Sequence, residues 1–454
     1  MEHQTGSIPP NPASRWGVAW LSLLVVGLLA GLAAGCDVLD LATLEPTATR
    51  PAAPTATAPP SPTPAAAISN TRRITLTLWY PEHLAPARDQ PGGAVLAEQY
   101  EAFAEMYPDV HVAGSRFKAS GAGGLLDYVL TTSKVLPHDL PDLVLLNLRD
   151  LPRAAGLLQP LDDLWESEPW SDWFSGPQQQ SRIEGRAVAI PYEMDVRLLV
   201  YDSEVVSEVP PAWADGMTWP APYLLPLGGG EAAAEALLLQ YVAVGVGSVD
   251  DEARLALDEG ALAEALEYYR ARHEQEQFHT AALTTTNLAE CWELFVGGQA
   301  DLTETTAHLV LSAKEGRETA RCAPIPTRSG TPVAVVDGWA WAILTDDDYR
   351  QQAALALISW LMEEENLAAR CVASGYLPSR QGAMAYMGES PCLPAGALLL
   401  DLAPVGLEAL QAGVAPRFHA ALQDVLSGNQ SSAQAAAAVI AAIKRWQNEQ
   451  PGGD

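Results

Sequence analysis

An uncharged apolar run from Trp16 to Gly35 closes on Leu32-Ala33-Ala34-Gly35-Cys36 and passes at once into a Pro/Thr/Ala tract. The chain ahead of Thr71 therefore has no core to contribute to a fold. Small residues before a cysteine are what a signal peptidase requires at its cut, and Arg15 alone stands ahead of the run. Residues 1–36 read as a lipoprotein signal peptide, with Cys36 as the first mature residue and the site of lipidation. About 20 apolar residues would also span a bilayer, but a cysteine at that boundary favours acylation over an uncleaved helix. Each buried acyl methylene contributes about 0.8 kcal/mol, so the expected location is the outer face of the cell membrane. Residues 37–70, with Thr-Ala-Thr and Pro-Pro-Ser-Pro-Thr-Pro runs, read as a semi-extended linker.

The chain from Thr71 onward is longer than one hydrophobic core usually organises, so two lobes are expected. With 26 Lys+Arg against 56 Asp+Glu the net charge is −30, which repels phosphate backbones and excludes nucleic acid as a partner. Once Cys36 is assigned to lipid, Cys291, Cys322, Cys371 and Cys392 are left in an oxidising compartment where pairing is permitted. None stands in a Cys-x-x-Cys pair, so no metal site is expected, and no sequence signature calls for a cofactor. Three pairings remain open, and nearest neighbours (291 with 322, 371 with 392) are a guess.

Ile74 to Tyr80 alternates apolar and polar residues and stops at Pro81, which predicts a strand. Leu96, Tyr100, Phe103 and Tyr107 share one face of a following helix, and a short strand is expected at Val110–Val112. Leu143–Leu146 is a continuous apolar run, as in a strand buried on both faces, and Leu151–Leu158 reads as a short helix. Arg186–Ile190 and Val196–Tyr201 read as two strands flanking a loop, Pro191-Tyr192-Glu193-Met194-Asp195. Helices are expected over Glu231–Val242, Leu262–Arg272, Gln351–Ala369 and Ser432–Gln447, with a strand over Val333–Leu344. Strands alternating with helices imply mostly parallel sheets covered on both faces, an α/β protein.

Catalytic signatures are mostly absent. His273 and His279 are six positions apart, which places their imidazoles on different helix faces, so they read as surface residues rather than a zinc pair. Asp346-Asp347-Asp348 lacks the glycine and distal glutamate of a calcium loop and reads as a turn with a helix cap. Gly228-Gly229-Gly230 lacks the Lys and Ser/Thr of a phosphate loop and reads as a flexible connection. Asp162-Asp163 reads as the cap of a helix containing Trp165. Polar and aromatic residues recur instead where strands are expected to end: Trp79-Tyr80-x-Glu82, Asn147, Tyr192-Glu193-x-Asp195, Glu304-Thr305-Thr306 and Asp337-Gly338-Trp339. In open parallel sheets ligands sit beyond such ends, and a ring face flanked by carboxylates and amides suits a sugar. Trp165, Trp170, Trp173, Trp341 and Trp360 are assigned to packing.

Five blocks, in order, carry a resemblance. They are Ile74–Tyr80 with Glu105–Val110; Pro141–Leu145 through Ala155–Leu164; Gly185–Tyr192 into Leu198–Asp202; Phe295–Leu302; and Pro324–Pro326 with Gly338–Ile343 and Gly375–Arg380. Together they resemble the family 1 extracellular solute-binding proteins, the maltose-binding-like proteins that deliver sugars to ABC importers. The resemblance implies the two-lobed, periplasmic-binding-protein type II (Venus-flytrap) α/β fold, its lobes joined by crossing segments. On this chain that would divide as 71–190 with 330–380 for lobe 1 and 191–329 with 381–454 for lobe 2. It implies a carbohydrate ligand, ABC permease subunits as partners, a monomer, and no reaction of its own. Carried over position by position, the cleft would be lined by Trp79, Tyr80, Glu82, Asn147, Tyr192, Glu193, Asp195, Glu304, Thr305 and Trp339. Two alternatives stand beside it: a cationic or peptide ligand in a cleft made acidic by Glu82, Glu193, Asp195, Glu304 and Asp337, and a polysaccharide hydrolase using Glu193 with Asp195.

Overall fold

A computed structural model describes residues 73–164, 171–213, 218–245, 255–314, 316–410 and 413–449. The apolar run, Cys36, the linker, Trp165 and Trp170 lie outside these residues. In chain order the first elements are β1 (Ile74–Pro81), α1 (Pro91–Met106), β2 (Val110–Phe117), α2 (Leu125–Val135), β3 (Leu143–Asn147), α3 (Leu151–Ala154), α4 (Ser175–Gln180), the hairpin β4 (Arg182–Ile183) and β5 (Arg186–Ala187), and β6 (Ile190–Asp202). Next come α5 (Gly230–Ala243), α6 (Glu259–Glu274), α7 (Leu288–Val296), β7 (Leu302–Thr306), α8 (Ala307–Leu311), β8 (Ala320–Ala323) and β9 (Val336–Ile343). The chain closes with α9 (Asp348–Leu361), α10 (Glu364–Ser374), β10 (Leu377–Pro378), α11 (Leu393–Leu400), α12 (Val414–Leu426) and α13 (Ser432–Glu449).

The sheet is mixed rather than mostly parallel. β1 pairs parallel with β2 and β3, whereas β3–β9, β9–β6 and the β6 pairings with β10, β7 and β8 are all antiparallel. Alternating strands and helices do not show this, because β9 returns from distant sequence to lie between β3 and β6. The segment expected as a loop at 191–195 is the first half of β6, a single 13-residue strand. Pro191 has no N–H to give the ladder, and the register with β9 shifts there instead of the strand ending. Ile190 to Val196 pair with β9, and Arg197 to Asp202 with β7 and β8, so β6 crosses from one set of partners to the other.

Two lobes follow from two cores. One cluster gathers β1, α1, α9 and α10 around Phe103, Trp341 and Leu357. The other gathers α5, α6, α12 and α13 around Tyr241, Tyr269 and Phe418. A third runs along β3, β6 and β9, where Leu146, Leu198 and Ala340 are buried.

Asp347 starts α9 by accepting from the Tyr349 and Arg350 amides, both at 3.0 Å. The single helix expected over 351–369 is two. At the break the Met362 carbonyl accepts from Arg380 at 2.6 Å and the Trp360 carbonyl from Asn366 at 2.8 Å, so the helix-end acceptors are met by side chains. Asp162 ties down the β4–β5 hairpin by accepting from the Ala187 amide at 2.9 Å, while the helix containing Trp165 that it is expected to cap lies outside the described residues. Gly228 is no loose connection: its amide donates to Thr285 O at 2.8 Å, and a Cβ would come within 2.7 Å of that oxygen. The disulfide joins Cys322 on β8 to Cys392 at the start of α11. Neighbour pairing fails because Cys291 is buried in the core around α5 and α6 and Cys371 in the core around α1 and α10, where both remain free.

Candidate functional site

Trp339 stands near the start of β9 with Asn147 of β3 opposite it on one side and Glu193 of β6 opposite it on the other. Two residues back, Asp337 lies opposite Asp195. Gly338 makes this meeting possible, because a Cβ there would sit 2.6 Å from the Glu193 carbonyl oxygen. Trp339 is 8 % exposed. His83, in the turn after β1, meets its ring edge-on at 5.2 Å. Tyr376, whose hydroxyl interacts with the Trp339 indole, is stacked by His308 at 4.1 Å. Gly375 places Tyr376: it ends α10 in the left-handed region, and a Cβ would come within 2.7 Å of the Ser312 amide nitrogen. The four rings thus come from the end of β1, the start of β9, the end of α10 and the start of α8.

Carboxylates surround these rings, and most have an arginine. Glu193, fully buried, receives Arg370 through Nε at 3.1 Å and Nη2 at 3.0 Å, and also the Ser374 hydroxyl. Glu304 receives Arg197 Nε at 2.6 Å and the Tyr223 hydroxyl. Asp337 receives Arg149 Nη2 at 2.7 Å and Asn147 Nδ2 at 2.8 Å. Arg149 reaches on from the turn after β3 to Glu231 at 2.7 Å and Glu235 at 3.6 Å, both on α5.

Asp195 differs. Its Oδ1 accepts from the amides of Val196 and His308, each at 2.8 Å, and its carboxyl also meets the Thr306 side chain. Among the described residues no Lys, Arg or His side chain pairs with it. Burial, with Asp337 as a nearby like charge, pushes its carboxyl up to about 7 against the opposing hydrogen bonds. Desolvation also lowers His83 and His308, disfavouring their charged forms. Among the described residues the buried His308 Nδ1 has no hydrogen-bond partner.

Of the ten expected site residues, Asn147, Glu193, Asp195 and Trp339 come together here. Glu82 is exposed beside His83. Tyr80 and Tyr192 are buried packing residues, the first lying over Gly114 and the second 5.8 Å from Trp341. Trp79 heads a separate aromatic row, 4.7 Å from Phe117, which is 4.9 Å from Tyr128. Glu304 is enclosed with Arg197, and Thr305 is fully buried. His83, Arg149, His308 and Tyr376 are the members that sequence reasoning missed. Tyr376 falls in the Gly375–Arg380 block and His308 just beyond Glu304-Thr305-Thr306, but nothing in either stretch shows that the two rings stack.

A recess of about 260 Å³ lies elsewhere, under the β4–β5 hairpin between Leu161, Trp173, Arg182 and Pro191. It holds none of the expected site residues. Among the described residues no helix is long and apolar enough to cross a membrane, and no group of three or more His, Cys, Asp or Glu is placed to hold a metal ion.

The family described as bacterial extracellular solute-binding protein matches residues 100–391. No curated protein sequence matches the chain. Among solved structures, the fold is similar to the sugar-binding protein MalE of Xanthomonas citri, with 20% identity over 84% of this chain and 100% of that one and a TM-score of 0.67. It is similar to the cyclic α-maltosyl-1,6-maltose binding protein of Arthrobacter globiformis, with 18% identity over 82% and 98% and a TM-score of 0.66. It is also similar to UgpB of Mycobacterium tuberculosis in complex with glycerophosphocholine, with 18% identity over 83% and 99% and a TM-score of 0.63.

Proposed function

The chain belongs to the bacterial extracellular solute-binding proteins, and from that premise we propose that it captures a carbohydrate between its two lobes and presents it to an ABC importer. Binding proteins of this family act outside the cytoplasm. The observation that carries the carbohydrate reading is the ring cluster of Trp339, Tyr376, His83 and His308, set among Asn147, Asp195, Asp337 and Arg149. Flat ring faces suit the C–H faces of a sugar, and the amide, carboxylate and guanidinium groups suit its hydroxyls. Two of the similar proteins are named for sugars.

Lobe closure is the proposed action: a ligand touching both lobes stabilises the closed arrangement by its differential contacts. The lobes would divide as 71–190 with 330–380 and 191–329 with 381–454, and Cys36 would carry the lipid anchor. A hydrolase reading gains little, because Glu193 is fully buried and held by Arg370. A thermal-shift screen of mono- and oligosaccharides, followed by small-angle scattering with each hit, tests the proposal. A raised melting point with a smaller radius of gyration is expected. No shift with any sugar removes the carbohydrate reading, and an unchanged radius at saturation removes lobe closure.

A further inference from the structure

Two arginines, Arg149 and Arg370, stand against five carboxylates in and beside the candidate site: Glu193, Asp195, Glu231, Glu235 and Asp337. Four of these share the arginines. Asp195 has only neutral donors, yet it is largely enclosed and sits within electrostatic reach of the Tyr376 hydroxyl. A neutral sugar leaves this imbalance as it is. An enclosed carboxylate without a counter-ion is costly, and it sits beside electron-rich faces of the kind that attract ammonium groups.

We propose that the ligand carries a positive charge, an ammonium or quaternary nitrogen seated against Trp339 and Tyr376 with Asp195 as its counter-ion. Within the carbohydrate reading, on which this rests, the ligand class is an aminated sugar. The groups facing Asp195 agree with this. Glu193 and Asp337 are engaged by Arg370 and Arg149, and desolvation disfavours the charged forms of His308 and His83, so none supplies the missing positive charge. A cation at that point would restore a carboxylate that burial otherwise leaves partly protonated at neutral pH.

Calorimetric titration at pH 7.5 with the β-1,4 disaccharide of glucosamine, with cellobiose and with choline tests this on the wild-type protein and on Asp195→Asn. Asn keeps the size of the side chain and removes the charge. The expected result is at least tenfold tighter binding of the aminated disaccharide than of cellobiose, with the gap closed in Asp195→Asn. Equal or tighter binding of cellobiose overturns the charge inference and leaves the carbohydrate reading standing. A preference for the amine that persists in Asp195→Asn also overturns the inference. Binding of choline alone, lost in Asp195→Asn, supports the charge inference while removing the carbohydrate reading. Binding of none of the three overturns both.

Discussion

Glu193 and Asp195 lie two residues apart on β6, but the regions around them are built differently. Behind Glu193, α10 supplies Arg370 and Ser374, and the carboxylate is sealed from solvent with its charge matched. At Asp195 the start of α8 supplies a backbone amide, and Thr306 and the residue's own neighbour supply the rest, with no matching charge. The acidic residues of these strands thus divide into two kinds. Those met by an arginine from another element hold the fold together, and those met only by dipoles leave interaction capacity unused. Glu304, enclosed with Arg197, belongs with Glu193.

The contrast is open to direct attack. Arg370→Met should cost about 3–5 kcal/mol of unfolding free energy in urea, because it leaves Glu193 buried and uncompensated; a loss under 1 kcal/mol would show that the pair is not structural. Trp339→Ala should weaken ligand binding by roughly 2 kcal/mol, as for an aromatic anchor, besides lowering the melting temperature. Titration beside a melt reads both, and unchanged affinity would assign Trp339 to packing alone.

Asp195→Asn should act with the opposite sign to Arg370→Met. The folded carboxyl, near 7, lies above its unfolded value, so the folded state holds a proton that the unfolded chain has released, and stability falls as pH rises from about 4 through 7. Removing the carboxyl should therefore stabilise the protein at pH 8 by on the order of 1–2 kcal/mol after allowance for partial exposure, with little effect at pH 4. Partly desolvated His83 and His308 run the other way, losing stability as pH falls below their unfolded pKa of about 6.5. Urea titrations of wild type and Asp195→Asn at pH 4 and pH 8 isolate the carboxyl. The same difference at both pH values would place the titration elsewhere. The smallest effect is expected at Glu231, whose side chain is 61 % exposed. Glu231→Gln should change stability by less than about 1 kcal/mol, and a double-mutant cycle with Arg149→Gln measures the coupling directly.

Much of the fold could be read from periodicity. β1, β3, α1, α5, α6 and α13 all form where apolar spacing places them, because each buries a face or stripe that the sequence marks. What periodicity does not carry is which face of a strand a distant element covers. Tyr80 and Tyr192 looked as suitable for a ligand as Trp339 does, but α1 and α10 close over the side of the sheet to which they point. Glu193 looked like a site carboxylate because its partner, Arg370, is 177 positions away. Asn147 and Trp339 could be found because a polar residue ending an apolar run and a Gly-Trp pair are local signals. His83 and His308 could not, since their meaning lies in rings contributed by other segments.

The bond between Cys322 and Cys392 closes a covalent ring that contains β9, α9, α10 and β10. Three of these, β9, α9 and α10, pack into the core built on β1 and α1, whereas Cys322 itself lies on a strand paired with the far half of β6. A protease that cuts once inside the ring therefore cannot separate the two sides of the cut. Both fragments stay attached through sulfur in the oxidised protein, whereas in the reduced one only non-covalent packing joins them.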